Sequence, residues 1–153
     1  MPAPRSSHSG GTAEGVPVVV RNAQRKIRVN TQKLAVFACQ AWQACDRISA
    51  KRSWPSASIS VVFVSDRAIA TLHDRFMGIR GPTDVITFRH GEIVISAETA
   101  LRQARQYRSS LMQELQLYIV HGLLHLRGYD DKTPSGSREM ERRQRSILGR
   151  LAF

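Results

Sequence analysis

Two histidines followed by a glycine and an aspartate place the strongest constraint on this 153-residue chain. In the stretch His121-Gly-Leu-Leu-His125-Leu-Arg-Gly128-Tyr-Asp-Asp131 the histidines are four residues apart, so on a helix their rings project from one face. Gly128 is placed to end that helix, because a left-handed turn costs glycine little. The chain can then reverse and bring Asp131 back towards the two rings.

Two imidazole nitrogens and one carboxylate oxygen form a ligand set for a single metal ion. Three protein ligands leave a fourth position for water, which is typical of a catalytic zinc site. Asp130 is the alternative third ligand; if Asp131 binds the metal, Asp130 can hydrogen-bond within the turn. Metalloproteases with the motif H-E-x-x-H have a glutamate after the first histidine, where this chain has Gly122. We therefore assign no side-chain base, and the catalytic group is expected to be a metal-bound water.

Strand-like and helix-like segments alternate along the rest of the chain. Apolar runs predict four strands, and capping residues followed by apolar residues at helical spacing predict five helices. The strands are expected at 16–21, 59–64, 85–88 and 93–95, and the helices at 31–48, 65–77, 96–107, 110–127 and 133–149. A hairpin is expected around His90-Gly91. This order predicts an α+β fold with a small mixed sheet of four strands.

The length fits one domain, which we place at residues 16–153. Residues 1–15 consist mainly of Pro, Ser, Gly and Ala and are expected to form a disordered tail. No run of 18 apolar residues occurs, so no membrane span is predicted. Two cysteines are too few for a disulfide framework or a four-thiolate zinc site, which favours a reducing cytoplasm.

The formal net charge of +11 indicates a polyanionic partner, although charge alone does not identify a fold or a reaction. The excess is unevenly placed. Residues 97–131, which include the histidines, are neutral in sum, whereas 16–33 carry +5 and 132–153 carry +4. If those two segments border the metal site, they would guide an RNA strand towards it. Otherwise they are ordinary solvated surface.

Several motifs, in order along residues 16–150, resemble those of the YbeY family of single-strand-specific endoribonucleases, which are bacterial rRNA maturation factors. The family motif H-G-x-L-H-L-x-G-Y-D-H is similar to His121–Asp131, P-T-D-V-L-S-F to residues 82–88, and G-D-I-V-I-S to residues 91–96. A later motif, M-x-x-x-E-x-x-I-L, is matched only in part, through Glu139, Met140 and the Ile147-Leu148 pair.

The resemblance implies an α+β, metalloprotease-like fold, a zinc ion in a cleft, and action on ribosomal RNA in the cytoplasm. In the family three histidines hold the metal, and Asp131 stands at the third position here. A carboxylate is a legitimate zinc ligand. It makes the site more negative and harder, so Mn²⁺ or Mg²⁺ gains some plausibility, but two imidazoles still favour Zn²⁺.

The family often has an arginine in the loop before P-T-D, where this chain has Met77. If that arginine binds phosphate, Arg80 is the preferred substitute and Arg75 the other candidate. Arg89 and Arg127 are further candidates, because guanidinium groups bind phosphate in bidentate geometry. Each of the four arginines could equally be a solvated surface charge.

The sequence thus predicts a zinc-dependent, single-strand-specific endoribonuclease in ribosomal RNA maturation, of the type that processes the 16S 3′ end, and in ribosome quality control. Its partners would be single-stranded RNA and ribosomal subunits. One alternative is a non-enzymatic ribosome-assembly factor with a structural metal. The other is a metallohydrolase acting on peptides or small esters, against which Gly122 and the positive charge both argue.

Overall fold

A computed structural model describes residues 16–48 and 58–151. The predicted tail at 1–15 lies outside this part of the chain. Four strands and five helices are seen in it, in the predicted order. They are β1 (Val18–Asn22), α1 (Thr31–Ile48), β2 (Ile59–Val64), α2 (Asp66–Met77), β3 (Val85–Phe88), β4 (Glu92–Ser96), α3 (Ala97–Tyr107), α4 (Leu111–Leu126) and α5 (Pro134–Leu151).

The four strands form one mixed sheet in the order β1-β2-β4-β3. β1 pairs in parallel with β2, and β2 pairs in parallel with β4. β3 pairs antiparallel with β4, and the connecting turn is closed by a hydrogen bond of 2.9 Å from the Gly91 N–H to the Phe88 carbonyl. The α+β class, the four-stranded mixed sheet and the hairpin are therefore confirmed. β3 and β1 are the two edges of the sheet.

Alternate residues of the central strands β2 and β4 enter two cores, one on each face of the sheet. On one face Val62 and Val94 pack with Ile69 of α2. On the other face Val61, Ile93 and the neighbouring inward residues pack against the remaining helices. α4 lies in the middle of this second layer, in contact with α1, α3, α5 and both strands of the hairpin. Burial on both faces explains why β2 is an almost unbroken apolar run.

α4 approaches the sheet closely because it carries no side chain at Gly122. A Cβ atom at that position would lie 2.8 Å from Cγ2 and 2.9 Å from Cδ1 of Ile93, which is fully buried in β4. Gly122 thus faces the sheet, while His121, the residue before it, lies in part on the surface. A glutamate in place of Gly122 would enter this contact and could not act as a base near the histidines.

A polar cluster joins α2 to the start of α3. The Asp66 carboxylate accepts hydrogen bonds from Ser96 Oγ at 2.6 Å, Thr99 Oγ1 at 2.7 Å and Arg102 Nη1 at 2.6 Å. Burial would raise the pKa of Asp66, but these hydrogen bonds and the Arg102 charge outweigh it and lower the pKa to about 2. The cluster keeps α2 against the sheet next to the loop at 78–84.

No helix in the two described ranges is long and apolar enough to cross a membrane.

The close approach at Gly122 gives a stability prediction. We expect Gly122→Ala to lower the free energy of unfolding by about 1 kcal/mol, because an overpacking cost of roughly 1–3 kcal/mol exceeds the helix-propensity gain of up to about 1 kcal/mol. Gly149→Ala on α5 is the matched control, since a Cβ there meets no atom within 4 Å. Urea unfolding should show opposite signs for the two variants. If both substitutions stabilised the protein equally, close packing of Gly122 against Ile93 would not be what positions α4.

Candidate metal centre

α4 brings the two histidines together and its end turns the chain back towards them. Gly128 has φ 92°, the left-handed region that favours glycine. The Gly128 N–H donates to the His125 carbonyl at 3.0 Å, and the Tyr129 N–H donates to the Leu124 carbonyl at 3.1 Å. This pair of bonds is the Schellman arrangement. The role predicted for Gly128 as the residue that ends the helix is confirmed.

The side chains of His121, His125 and Asp131 converge after this turn. One ligand atom from each lies within 4.8 Å of the other two. Nε2 of His121 is 3.0 Å from Nε2 of His125 and 4.0 Å from Oδ2 of Asp131. Ligand atoms about 2.0–2.2 Å from one tetrahedral zinc lie roughly 3.3–3.5 Å apart. The three groups could therefore hold one metal ion after small side-chain shifts.

Asp130 takes the other role considered for it. Its Oδ1 accepts a hydrogen bond of 3.1 Å from the backbone N–H of Lys132, which closes the turn before α5. The group of potential ligands in the described residues contains Asp131 and not Asp130. The geometry therefore favours Asp131 of the two alternatives.

Gln144 of α5 orients the first histidine, and the sequence reasoning missed it. Its Oε1 lies 2.6 Å from Nδ1 of His121. An amide oxygen only accepts, so Nδ1 carries the proton and Nε2 presents its lone pair towards His125 and Asp131. Histidine ligands of metals usually have such an acceptor on the other ring nitrogen. A glutamine 23 residues away in sequence gives no local signal of this contact.

The second histidine is kept neutral by its surroundings. Burial lowers the pKa of His125 below its ordinary value, and the neighbouring His121 lowers it further, against the opposing influence of Asp131. A metal binds the neutral imidazole, so burial favours the form of His125 that binds a metal. The two rings meet edge to face, with centroids 4.6 Å apart.

The candidate ligands lie in a cleft of about 590 Å³ between α4, the turn after it and β3. Residues 85–87 of β3, together with Arg89 after its end, line one side. Met77 and Lys132 also line the cleft. Arg89 and Lys132 offset the charges of Asp130 and Asp131, so these lining groups are neutral in sum. A divalent cation would make the cleft positive.

The four arginines proposed as phosphate contacts occupy different places. Arg89 lines the cleft. Arg75 and Arg80 are exposed on α2 and on the following loop, outside the cleft lining. Arg127 is only 8% exposed, and its guanidinium carbon lies 3.5 Å from the centroid of the Trp42 ring. The expectation for Arg127 is therefore wrong, because its charged group is buried against α1 and away from the cleft.

The conditional role of the basic terminal segments also needs correction. β1, which belongs to the segment at 16–33, lies at the opposite edge of the sheet from β3 and the cleft. Of the described residues of both segments, Lys132 alone lines the cleft. Most of the net positive charge is thus on other surfaces.

Comparisons with known proteins agree with this architecture. The family model described as Endoribonuclease YbeY matches residues 19–152. The Endoribonuclease YbeY of Pelotomaculum thermopropionicum is 33% identical over 151 residues, covering 89% of this chain and 97% of that protein. The protein of the same name from Thermodesulfovibrio yellowstonii is 31% identical over 155 residues, covering 89% of this chain and 98% of its own length.

This chain belongs to the endoribonuclease YbeY family. The resemblance seen in its motifs is thereby confirmed. The expectation that the chain belongs to a family of endoribonucleases is confirmed with it. The solution structure of TM1509 from Thermotoga maritima has a similar fold, with a TM-score of 0.59 over 87% of this chain and 90% of that chain. At 22% identity this likeness concerns the fold alone. Two of the histidines expected from the YbeY resemblance lie in the cleft, and Asp131 completes the group of potential ligands.

The contact between Gln144 and His121 gives a prediction about metal affinity, which can be tested without an activity assay. We expect Gln144→Leu to weaken Zn²⁺ binding by about 10–100-fold, because His121 loses the acceptor that fixes its ring and tautomer. Competition with a chromophoric chelator measures the affinity. Gln106→Leu, on an exposed position of α3, is the control and should leave the affinity unchanged. Equal affinities for all three proteins would show that the contact with Gln144 does not orient a ligand.

Proposed function

We propose that this chain is a zinc-dependent, single-strand-specific endoribonuclease that acts in ribosomal RNA maturation, of the 16S 3′-end processing type, and in ribosome quality control. The observation that carries the proposal is the convergence of His121, His125 and Asp131 in an open cleft of a YbeY family member. Ribosomal RNA as substrate, ribosomal subunits as partners and a cytoplasmic location follow from the family resemblance.

The donor set favours zinc. Two imidazole nitrogens select zinc over Mg²⁺ and Mn²⁺, and the carboxylate oxygen is compatible with all three. Bound there, Zn²⁺ would supply Lewis acidity, which lowers the pKa of a coordinated water to about 7 and polarises a phosphoryl oxygen. His121 and His125 would hold the ion through Nε2, and Asp131 through a carboxylate oxygen. Gln144 keeps His121 in the tautomer that this requires.

The other residues of the cleft supply binding and orientation. Arg89 offers a guanidinium to the phosphate groups of the strand, and Lys132 offers a second, compact positive charge. Asp130 is engaged with the backbone of Lys132. We assign no side chain as general base, in accord with the absence of a glutamate beside His121.

A peptide-hydrolysing metalloenzyme is a weaker candidate because of how Gly122 packs. The residue after the first histidine faces Ile93 in the sheet, so the position that holds the base in H-E-x-x-H enzymes does not face the cleft. The arginine and lysine in the cleft also suit an anionic substrate better than a neutral one.

Removal of either histidine tests the proposal directly. We expect His121→Ala and His125→Ala to abolish zinc binding and RNA cleavage together, since each removes one of three ligands. Metal content of the purified protein and cleavage of single-stranded RNA with and without chelator are the measurements. His73→Ala is the control for metal binding, because its Nδ1 contacts the Gly81 carbonyl outside the candidate ligand group.

A metal-free double variant that cleaved RNA at the wild-type rate would overturn the proposal. A wild type that bound zinc stoichiometrically, lost stability in the histidine variants and cleaved no RNA would instead favour the assembly factor with a structural metal.

Arg89 gives a prediction about the substrate strand. We expect Arg89→Ala to raise the dissociation constant for single-stranded RNA and to reduce the slope of log K against log salt by about 0.7, the value for one phosphate contact on a single strand. Fluorescence anisotropy over a series of salt concentrations measures both. Arg150→Ala, an exposed position near the end of α5, should leave the slope unchanged. An unchanged slope in both variants would remove Arg89 from the phosphate path.

A further inference from the structure

An exposed apolar surface lies beside the cleft, at the end of α2. Phe76 is 58% exposed, and Met77 and Ile79 are each 52% exposed. Three large apolar side chains within four residues of chain are an unusual exposure for a soluble domain, and such patches commonly mark binding sites. We call Phe76, Met77 and Ile79 the apolar rim. The rim is continuous with the cleft, because Met77 also lines it.

Aromatic rings extend the apolar rim onto the edge strand. The Phe76 and Phe88 rings meet edge to face with centroids 5.2 Å apart, and the His90 ring stacks on Phe88 at 5.7 Å. Phe88 and His90 alternate with Arg89, which lines the cleft. Phe88 packs against the core that contains Ile69 of α2, whereas Arg89, the next residue, lines the cleft. These contacts join residues up to 12 positions apart, which is why the sequence shows no basic-aromatic motif.

The charges around the apolar rim have the sign of a phosphate-binding surface. Arg75 and Arg80 flank it in sequence, and the Arg75 guanidinium carbon lies 5.6 Å from the centroid of the Phe76 ring. Arg89 follows Phe88 on the cleft side. Flat apolar faces bordered by arginines suit a chain of planar bases joined by phosphates better than they suit an apolar protein surface. The other class of occupant, a protein partner, is an outcome of the test below.

We infer that the apolar rim is a docking site for an unpaired nucleobase of the RNA strand whose phosphate lies in the cleft. Phe76 offers the aromatic face, Met77 connects it to the cleft, and Arg75 and Arg80 contact the flanking phosphates. This inference rests on the proposed function and adds a physical basis for preferring single strands. A base in a duplex is stacked and paired, so it presents no free face to Phe76.

The test compares Phe76 variants on two polyanions of equal length and charge. One is a short fluorescent single-stranded oligoribonucleotide, and the other is the same backbone with abasic residues. We expect Phe76→Leu, which keeps an apolar contact with Phe88, to raise the KM and the dissociation constant for the normal oligonucleotide roughly tenfold, as for the loss of one base–aromatic contact. The kcat at saturation should change little. Both constants for the abasic strand should stay at the wild-type value.

Two further variants control the comparison. Phe76→Trp retains a stacking face and should bind the normal oligonucleotide as the wild type does. Tyr107→Leu removes another aromatic residue, 68% exposed and next to Arg108, from the end of α3, and should change neither constant. Circular dichroism of all variants checks that the fold is retained.

Three results would overturn the inference. If Phe76→Leu bound the normal oligonucleotide as tightly as the wild type does, the apolar rim would be a site for a protein partner and not for a base. Equal losses on the normal and abasic strands would show a structural effect. A wild type that bound both strands equally would show that no base is recognised. By contrast, RNA binding that depends on the base, without zinc-dependent cleavage, would support the docking site and contradict the proposed activity. Failure of the docking site can therefore be distinguished from failure of the proposed function.

Discussion

The contact between Gly122 and Ile93 is the constraint on which the rest of the candidate site depends. It allows the α4 backbone to lie close to β4, and this fixes which face of the helix meets the sheet. The apolar residues of α4 are then buried among α1, α3 and α5. With that face fixed, the rings of His121 and His125 emerge where α4 passes β3, on the wall of the cleft. The same packing that orients the histidines removes the position where a protease would have its base.

The remaining groups of the site reach the histidines through the reversal at Gly128. The Schellman turn directs the chain away from the helix axis, and Asp131 lies next to His121 three residues later. α5 then packs back along α4 and places Gln144 on the far nitrogen of His121. Arg143, one residue earlier, lies over the ring of Tyr129. α5 is thus tied both to the turn and to a candidate ligand, so the site depends on docking of the C-terminal helix as much as on α4.

Much of the fold follows from local signals in the sequence, and much of the site does not. Ser65, Ser96 and Ser110 each cap the helix that they were expected to begin, because a cap is a contact between neighbouring residues. The histidine pair and Gly128 are local for the same reason. Gln144, the burial of Arg127 on Trp42 and the row of rings from Phe76 to His90 depend on how distant elements pack. Spacing along the chain carries no information about such contacts.

Asp131 stands where the family motif has a histidine, and this difference can be understood together with Gln144. When Met140 is aligned with the first residue of the family motif M-x-x-x-E-x-x-I-L, the glutamate of the motif falls on Gln144. In this chain a neutral amide therefore lies behind His121, and a carboxylate, Asp131, is among the candidate ligands. Because a charge interaction falls with distance, a carboxylate in direct contact offsets more of a cation's charge than one behind an imidazole does. Because Arg89 and Lys132 in the cleft wall offset Asp130 and Asp131, a bound divalent cation would still leave the cleft positive towards a phosphate.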